Sequence, residues 1–140
     1  MKTFDNTSPL LPEILALHGK WRGNRDAVLW EQERWSWAQF CAASHRFAHG
    51  LIAAGVNPGD RVAIVMSNGV NMVQAIFGSM ASGACSVPIN LSVTDKALAG
   101  MLDDAGVVAL VATADQVARI HALDTKLPQS LRLLICADTA

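Results

Sequence analysis

The stretch Arg61-Val62-Ala63-Ile64-Val65-Met66 places five apolar residues in a row behind its arginine. A strand of that kind has no wet face, so it belongs in a parallel sheet with helices on both sides. Its surroundings repeat the demand. Val70 to Ser82 reads as a helix closed by Gly83, with Ser67 or Asn68 able to cap its start. Cys85 to Pro88 is then a strand, Thr94 to Asp104 a helix and Val107 to Val111 a strand. Thr113 or Asp115 opens a further helix to about Leu123, and Leu131 to Cys136 is a last strand. Strand and helix alternating at this spacing require right-handed crossovers. The fold class is α/β, a mainly parallel sheet with helices on both faces.

The first part of the chain reads differently. Residues 1–24 form a mixed segment with a short helix from Pro12 to His18, ended by Gly19. Ala27 to Trp30 and Arg34 to Ser36 are short strands joined through Glu31, Gln32 and Glu33, a hairpin. Ser36 caps a long helix to Ala54, with Gly55 just past its end. Trp37, Phe40, Ser44, Phe47, Ala48 and Leu51 make one stripe along it. Pro58-Gly59 is a turn.

Composition narrows the function classes. With 140 residues, a compact body would expose roughly 7,000 Å² of the roughly 21,600 Å² of its unfolded chain, enough for a real core. Eleven Lys and Arg against twelve Asp and Glu leave a net charge of −1. With no basic block, nucleic acid is not an expected partner. The chain is 51% hydrophobic and only 16% charged, against about 25% charged in typical soluble domains. No apolar run reaches the length of a membrane span, so much of the surface is expected to face other protein. Asp5, Asn6, Pro9, Pro12 and Glu13 interrupt any signal-peptide core, and a cytoplasmic location is expected.

The candidate sites each have a plain structural reading. Cys41, Cys85 and Cys136 lack a C-x-x-C spacing and read as buried small hydrophobes. Cys41, His45 and His49 are spaced i, i+4, i+8, which raises a metal reading, but no carboxylate completes the set and boundary histidines fit better. Asp103 and Asp104 read as solvent-exposed, and His18 and His121 have no evident companions. In parallel sheets ligands gather beyond the strand carboxyl ends, here Ser67-Asn68-Gly69, Pro88 to Ser92 and Ala112-Thr113. Those loops carry no Lys and no phosphate-loop motif. Helix capping is the first reading of Ser67, Asn68, Asn90 and Thr94. No catalytic, cofactor-binding or metal residue is assigned.

Gly55-Val56-Asn57-Pro58-Gly59-Asp60-Arg61-Val62-Ala63-Ile64 resembles the G-V-x-x-G-D-R-V-A-I segment of the AMP-forming acyl-CoA synthetases, with an Asp-Arg pair at the strand mouth. Flanking signals come in the family's order. Ala27-Val28 and Ser36-Trp37-Ala38-Gln39-Phe40 resemble its strand and Thr-Tyr-x-Glu-Leu helix start, and Asn68 stands at its Asn after the strand. Gly78, Gly83-Ala84, Val87-Pro88 and Asn90 match its G-x-x-x-x-G-A-x-x-V-P-x-N run. Leu98, Met101, Leu102 and Asp104 follow like its L-x-x-x-L-x-D helix. Gln39 for Glu, Trp37 for Tyr or Phe, and Leu91 for Pro are departures outside catalysis.

The resemblance implies an ATP-dependent ligase that activates a carboxylic acid, by preference a fatty acid, as acyl-adenylate and transfers it to coenzyme A with Mg²⁺. It implies that residues 25–140 are part of an AMP-binding (adenylation) domain that stops before the phosphate-binding loop. On that reading the 140 residues alone are inactive, bind no ATP, and have the rest of their own chain and the acid substrate as partners. Uncovered sheet edges then predict a dimer or larger species. The alternative is a stand-alone α/β module that binds a ligand or a protein without catalysis.

Overall fold

The computed structural model describes residues 9–124 and 126–137. Helix α1 (Leu11–Trp21) leads into a two-stranded antiparallel hairpin, β1 (Asp26–Trp30) and β2 (Glu33–Ser36). Helix α2 (Trp37–Ala53) follows, and then β3 (Arg61–Val65), α3 (Val70–Ala81), β4 (Cys85–Pro88), α4 (Asp95–Asp104), β5 (Ala109–Ala112), α5 (Ala114–His121) and β6 (Leu133–Cys136). The four later strands form one parallel sheet in the order β4-β3-β5-β6. The chain thus runs outward from β3 to β4, then crosses back over β3 to reach β5.

That crossing decides the layers. Along β3, Val62 and Ile64 face a core shared with Leu51, Ala75 and Ala84, the side of α2 and α3. Ala63 and Val65 face the opposite core with Leu98, Leu102 and Ile120, the side of α4 and α5. Residues 62 to 65 are buried to 1% or less, as an apolar strand between two helix layers requires. The α/β expectation holds.

Helix α2 starts where its cap chemistry says it should. The Ser36 hydroxyl accepts from the Gln39 N–H at 3.3 Å, and the Ser36 N–H donates to the Gln39 side chain at 2.8 Å. This reciprocal capping box explains why Gln serves in place of Glu. Past the far end, Gly55 takes φ +84, the left-handed turn that only glycine adopts without cost.

Several boundaries differ from the sequence reading, each for a local reason. Helix α1 runs through Gly19 to Trp21, because Gly19 is a packing residue: a Cβ there would lie 3.0 Å from the Cys41 Cβ and 3.1 Å from its sulfur. Glu33 lies in β2, leaving a two-residue turn in which Glu31 takes φ 51. Neither Ser67 nor Asn68 caps α3; the N-cap is Gly69, with no side-chain cap. Thr94 caps α4 as expected, accepting from the Ala97 N–H at 3.3 Å. Strands β5 and β6 each begin two residues late, where the ladders Val62↔Ala109 and Ala109↔Leu133 start, and α5 begins after Thr113 and stops at His121.

Two expectations fail more substantially. Cys85 and Cys136 are exposed and Cys41 is half-buried. Cys85 and Cys136 sit at opposite ends of the two edge strands, where no neighbouring strand covers them. The Asp-Arg pair at the mouth of β3 is not a pair either. Arg61 Nε and Nη2 donate to the carbonyls of Ala105 and Gly106, both at 2.9 Å, capping the carboxyl end of α4. Asp60 turns the other way, accepting from the Asn57 N–H at 2.9 Å and from Arg132 at 3.1 Å.

These contacts hold the Asp60 carboxyl below the usual range, the Asn57 N–H first and Arg132 after it. Its folded pKa is depressed, so its contribution is complete above the unfolded value of about 3.9 and is lost as pH falls through the folded one. Urea midpoints measured down from pH 5 should therefore fall less steeply in Asp60→Asn than in the parent.

Ser44 carries the one buried side-chain oxygen or nitrogen without a hydrogen-bond partner among the described residues. It is fully buried in α2 at the contact with α3. Ser44→Ala should raise stability by about 1 kcal/mol, because it removes an unpaired hydroxyl and improves helix propensity. Chemical denaturation checks this directly.

Candidate functional site

The carboxyl ends of β3 and β4 open into a cleft of about 320 Å³ lined by Met66, Ser67, Asn68, Met72, Pro88, Ile89, Asn90 and Leu91. Its floor follows from the sheet. The Ile89 N–H donates to the Ile64 carbonyl at 3.0 Å, which carries the parallel ladder one residue past Pro88 and buries Ile89 in the core on the α4 and α5 side. The chain then turns. Asn90 Oδ1 accepts from the Ser92 N–H at 2.9 Å, an Asx turn that fixes the wall.

The rest of that wall is held from a distance. Arg119 of α5, with its side chain only 22% exposed, donates to the carbonyls of Leu91 and Val93 and to Asp95, the last at 2.7 Å. One guanidinium thus ties the loop 89–94 to α5 and to the start of α4. The sequence reading assigned nothing to Arg119.

The expected loop residues come together only in part. Ser67, Asn68 and Asn90 line this cleft, whereas Thr94 is spent on its cap. Thr113 lies at the end of β5, where its hydroxyl bonds to Asp115 and, as the leading cause, holds that carboxyl below its ordinary pKa. A second hollow of about 200 Å³ opens between α3 and the outer strands, lined in part by Phe47, Asn71, Val111 and Ile135. Helix α3 closes its far end, where Asn71 Nδ2 donates to the Ala137 carbonyl at 3.1 Å just past β6.

The metal reading of α2 finds no support. Cys41 Sγ lies 3.9 Å from His45 Nδ1, burial pushes the thiol pKa up, and His45 and His49 are exposed. No group of three His, Cys, Asp or Glu that could hold a metal occurs among the described residues. Asp103 and Asp104 are exposed as expected. His18 does have a companion, the Trp37 ring at 4.5 Å between centroids.

A nucleotide triphosphate asks for cations or a nest of backbone N–H groups. The cleft is lined by a hydroxyl, two carboxamides and apolar groups. Arg119, which holds its wall, is already committed to Asp95 and two carbonyls. The residues present do not fit a triphosphate.

The architecture defines an α/β segment with a parallel sheet between two helix layers, its cleft opening at the carboxyl edge of the sheet. The AMP-binding enzyme family matches residues 17–140, and the chain belongs to it. The fatty acid–[acyl-carrier-protein] ligase ScoC of Streptomyces coeruleorubidus is 33% identical over 96 residues, covering 69% of this chain and 18% of that protein. A medium/long-chain-fatty-acid–CoA/3-oxocholest-4-en-26-oate–CoA ligase of Mycobacterium marinum is 28% identical over 115 residues, 82% of this chain and 21% of that one. Among solved structures, the N-terminal domain of FACL13 from Mycobacterium tuberculosis superposes with a TM-score of 0.85 at 26% identity, over 94% of this chain and 34% of that one. The chain therefore spans about a fifth of these two ligases.

Proposed function

We propose that these residues are part of an adenylate-forming ligase that activates a fatty or related carboxylic acid with ATP and Mg²⁺ and passes the acyl group to coenzyme A. The family match over residues 17–140 carries the reading, and relatives named as fatty-acid ligases support the substrate class. On this reading the phosphate-binding loop and the catalytic lysine come from further along the same polypeptide, and the present residues supply the folded sheet against which they close. The site residues of the reaction then lie outside this segment. The acceptor is the finer point, since ScoC is named for a carrier protein and the Mycobacterium marinum ligase for coenzyme A.

The test is direct. The coding sequence after the Ala140 codon should continue in frame into a Ser/Thr/Gly-rich loop ending in Lys. The protein from the whole frame should release pyrophosphate from ATP only when a fatty acid is supplied, and thiol ester should form with coenzyme A. A stop codon at that point, or turnover indifferent to the acid, would overturn the reading. The 140 residues alone should show no heat of ATP binding. They should self-associate through the bare edges of β4 and β6; a monomeric mass by light scattering at high concentration would count against that.

A further inference from the structure

Helix α1 packs by one face and leaves the other bare. Leu15 is 2% exposed, and Gly19 sits tight against Cys41 of α2. On the opposite side Leu10, Ile14, Leu17 and Trp21 are 63%, 36%, 42% and 73% exposed. At about 100° per residue they fall within about 60° of one another, one apolar stripe turned to water. Leu11, 53% exposed, widens it on one flank.

The stripe reads the same in both directions. Its spacing is four, three and four residues, symmetric about the point between Leu15 and Ala16. A second α1 laid antiparallel across a two-fold axis at that point sets Leu10 opposite Trp21 of the other copy and Ile14 opposite its Leu17.

Charge selects that arrangement. Glu13 and Lys20 are seven residues apart and share one line along the helix, roughly 80° from the middle of the stripe, the angle of the flanking charges in a coiled coil. An antiparallel two-fold keeps this line on the same side in both copies. Each Glu13 then falls beside Lys20 of the other copy, offset by about 3 Å at 1.5 Å per residue, which a lysine stem spans. A parallel pair would instead face the line with the flank of Leu11 and His18 and leave both charges unmatched. Both groups are available. Glu13 Oε2 accepts from the Leu10 N–H at 2.8 Å, which leaves its second oxygen. Lys20 lies between Leu17 and the hollow it lines with Gly19 and Ala38, and it makes no ion pair among the described residues. Arg22 and Arg25 line that hollow on the α2 side, away from the stripe.

We propose that the bare face of α1 is a two-fold interface with a second copy of this chain, flanked by two Glu13–Lys20 ion pairs. Burying both stripes removes roughly 1,000 Å² from water, the lower bound of a specific interface, so the pair dissociates on dilution. It closes on itself, unlike growth along sheet edges. The inference rests on the surface of α1 alone and stands apart from the ligase chemistry.

Cross-linking tests the register. A carbodiimide joins a carboxylate to an amine in direct contact, and it is applied to an equal mixture of heavy-isotope and ordinary 140-residue chains. A Glu13–Lys20 link is expected in peptides that combine the two isotopes, and it should fade on dilution. In sedimentation, Glu13→Lys and Lys20→Glu should each raise the dissociation constant about tenfold, and the two together should restore it, because the pairs re-form with their signs exchanged. Ile14→Asn with Leu17→Asn should raise it by about a hundredfold. Should the Asn pair lose its helical circular dichroism, the charge exchange decides, since a folding defect would deepen in the double variant where a pairing defect cancels. The proposal is overturned if no mixed-isotope link forms, if the Asn pair sediments like the parent, or if the charge exchange fails to restore association. A link present in the 140-residue chain and absent from the protein of the whole frame also overturns it, and assigns the stripe to later residues of the same polypeptide.

Discussion

Gly78→Val is expected to cost about 3–4 kcal/mol, the scale of a severe core defect, and to leave most of the chain insoluble. Gly78 is buried in α3 where that helix crosses α2. A Cβ at this position would lie 2.6 Å from Phe47 Cδ1, 2.9 Å from the Ser44 carbonyl oxygen and 3.0 Å from Phe47 Cβ. Phe47 can turn its ring, but the Ser44 oxygen belongs to the backbone of α2, so the two helices would have to separate. Even Gly78→Ala should lose about 1–2 kcal/mol, although alanine gains about 1 kcal/mol in helix propensity. Urea denaturation of both variants checks the order; an alanine variant more stable than the parent would show that α2 and α3 can slide apart cheaply.

That glycine also shows what a sequence can and cannot reveal. Gly78 was legible as part of a family pattern, and Ser36, Gly55 and Thr94 were legible as caps, because the physics of a cap lies within four residues. The buried run at Val62 to Val65 was legible because apolar continuity demands two covers. The position of the cleft followed from strand order, since loops at the carboxyl ends of a parallel sheet are where such folds open. Gly19 was misread because a glycine that ends a helix and one that lets another helix approach look alike until the partner, Cys41, is in place. Cys85 and Cys136 were misread because burial depends on strand order, and only the order β4-β3-β5-β6 puts both on edges. Asp60 and Arg61 are neighbours in sequence with partners at Arg132 and Ala105, 72 and 44 residues away. Nothing local could have separated them.

Arg119 is a further case of pairing beyond local reach, and its removal is the second large effect expected. Arg119→Ala should destabilise the protein by about 3 kcal/mol, since a mostly buried guanidinium with charge-assisted bonds to Asp95 and two carbonyls is lost at once. The carbonyls of Leu91 and Val93, 28 and 26 residues away, would lose their donor together. Arg119→Lys should recover little, because a single ammonium cannot span the fork that reaches both carbonyls and the Asp95 carboxylate. Asp95→Asn should cost clearly less, because Asp95 is 65% exposed and an ion pair so open to water contributes about 1 kcal/mol or less. The location of the damage distinguishes this from general weakening. Amide exchange should accelerate in the loop 89–94, which walls the cleft, before it does in β3 or β5. A variant that loses the same stability uniformly would show that Arg119 holds α5 to the body and leaves the wall of the cleft to the Asn90 turn.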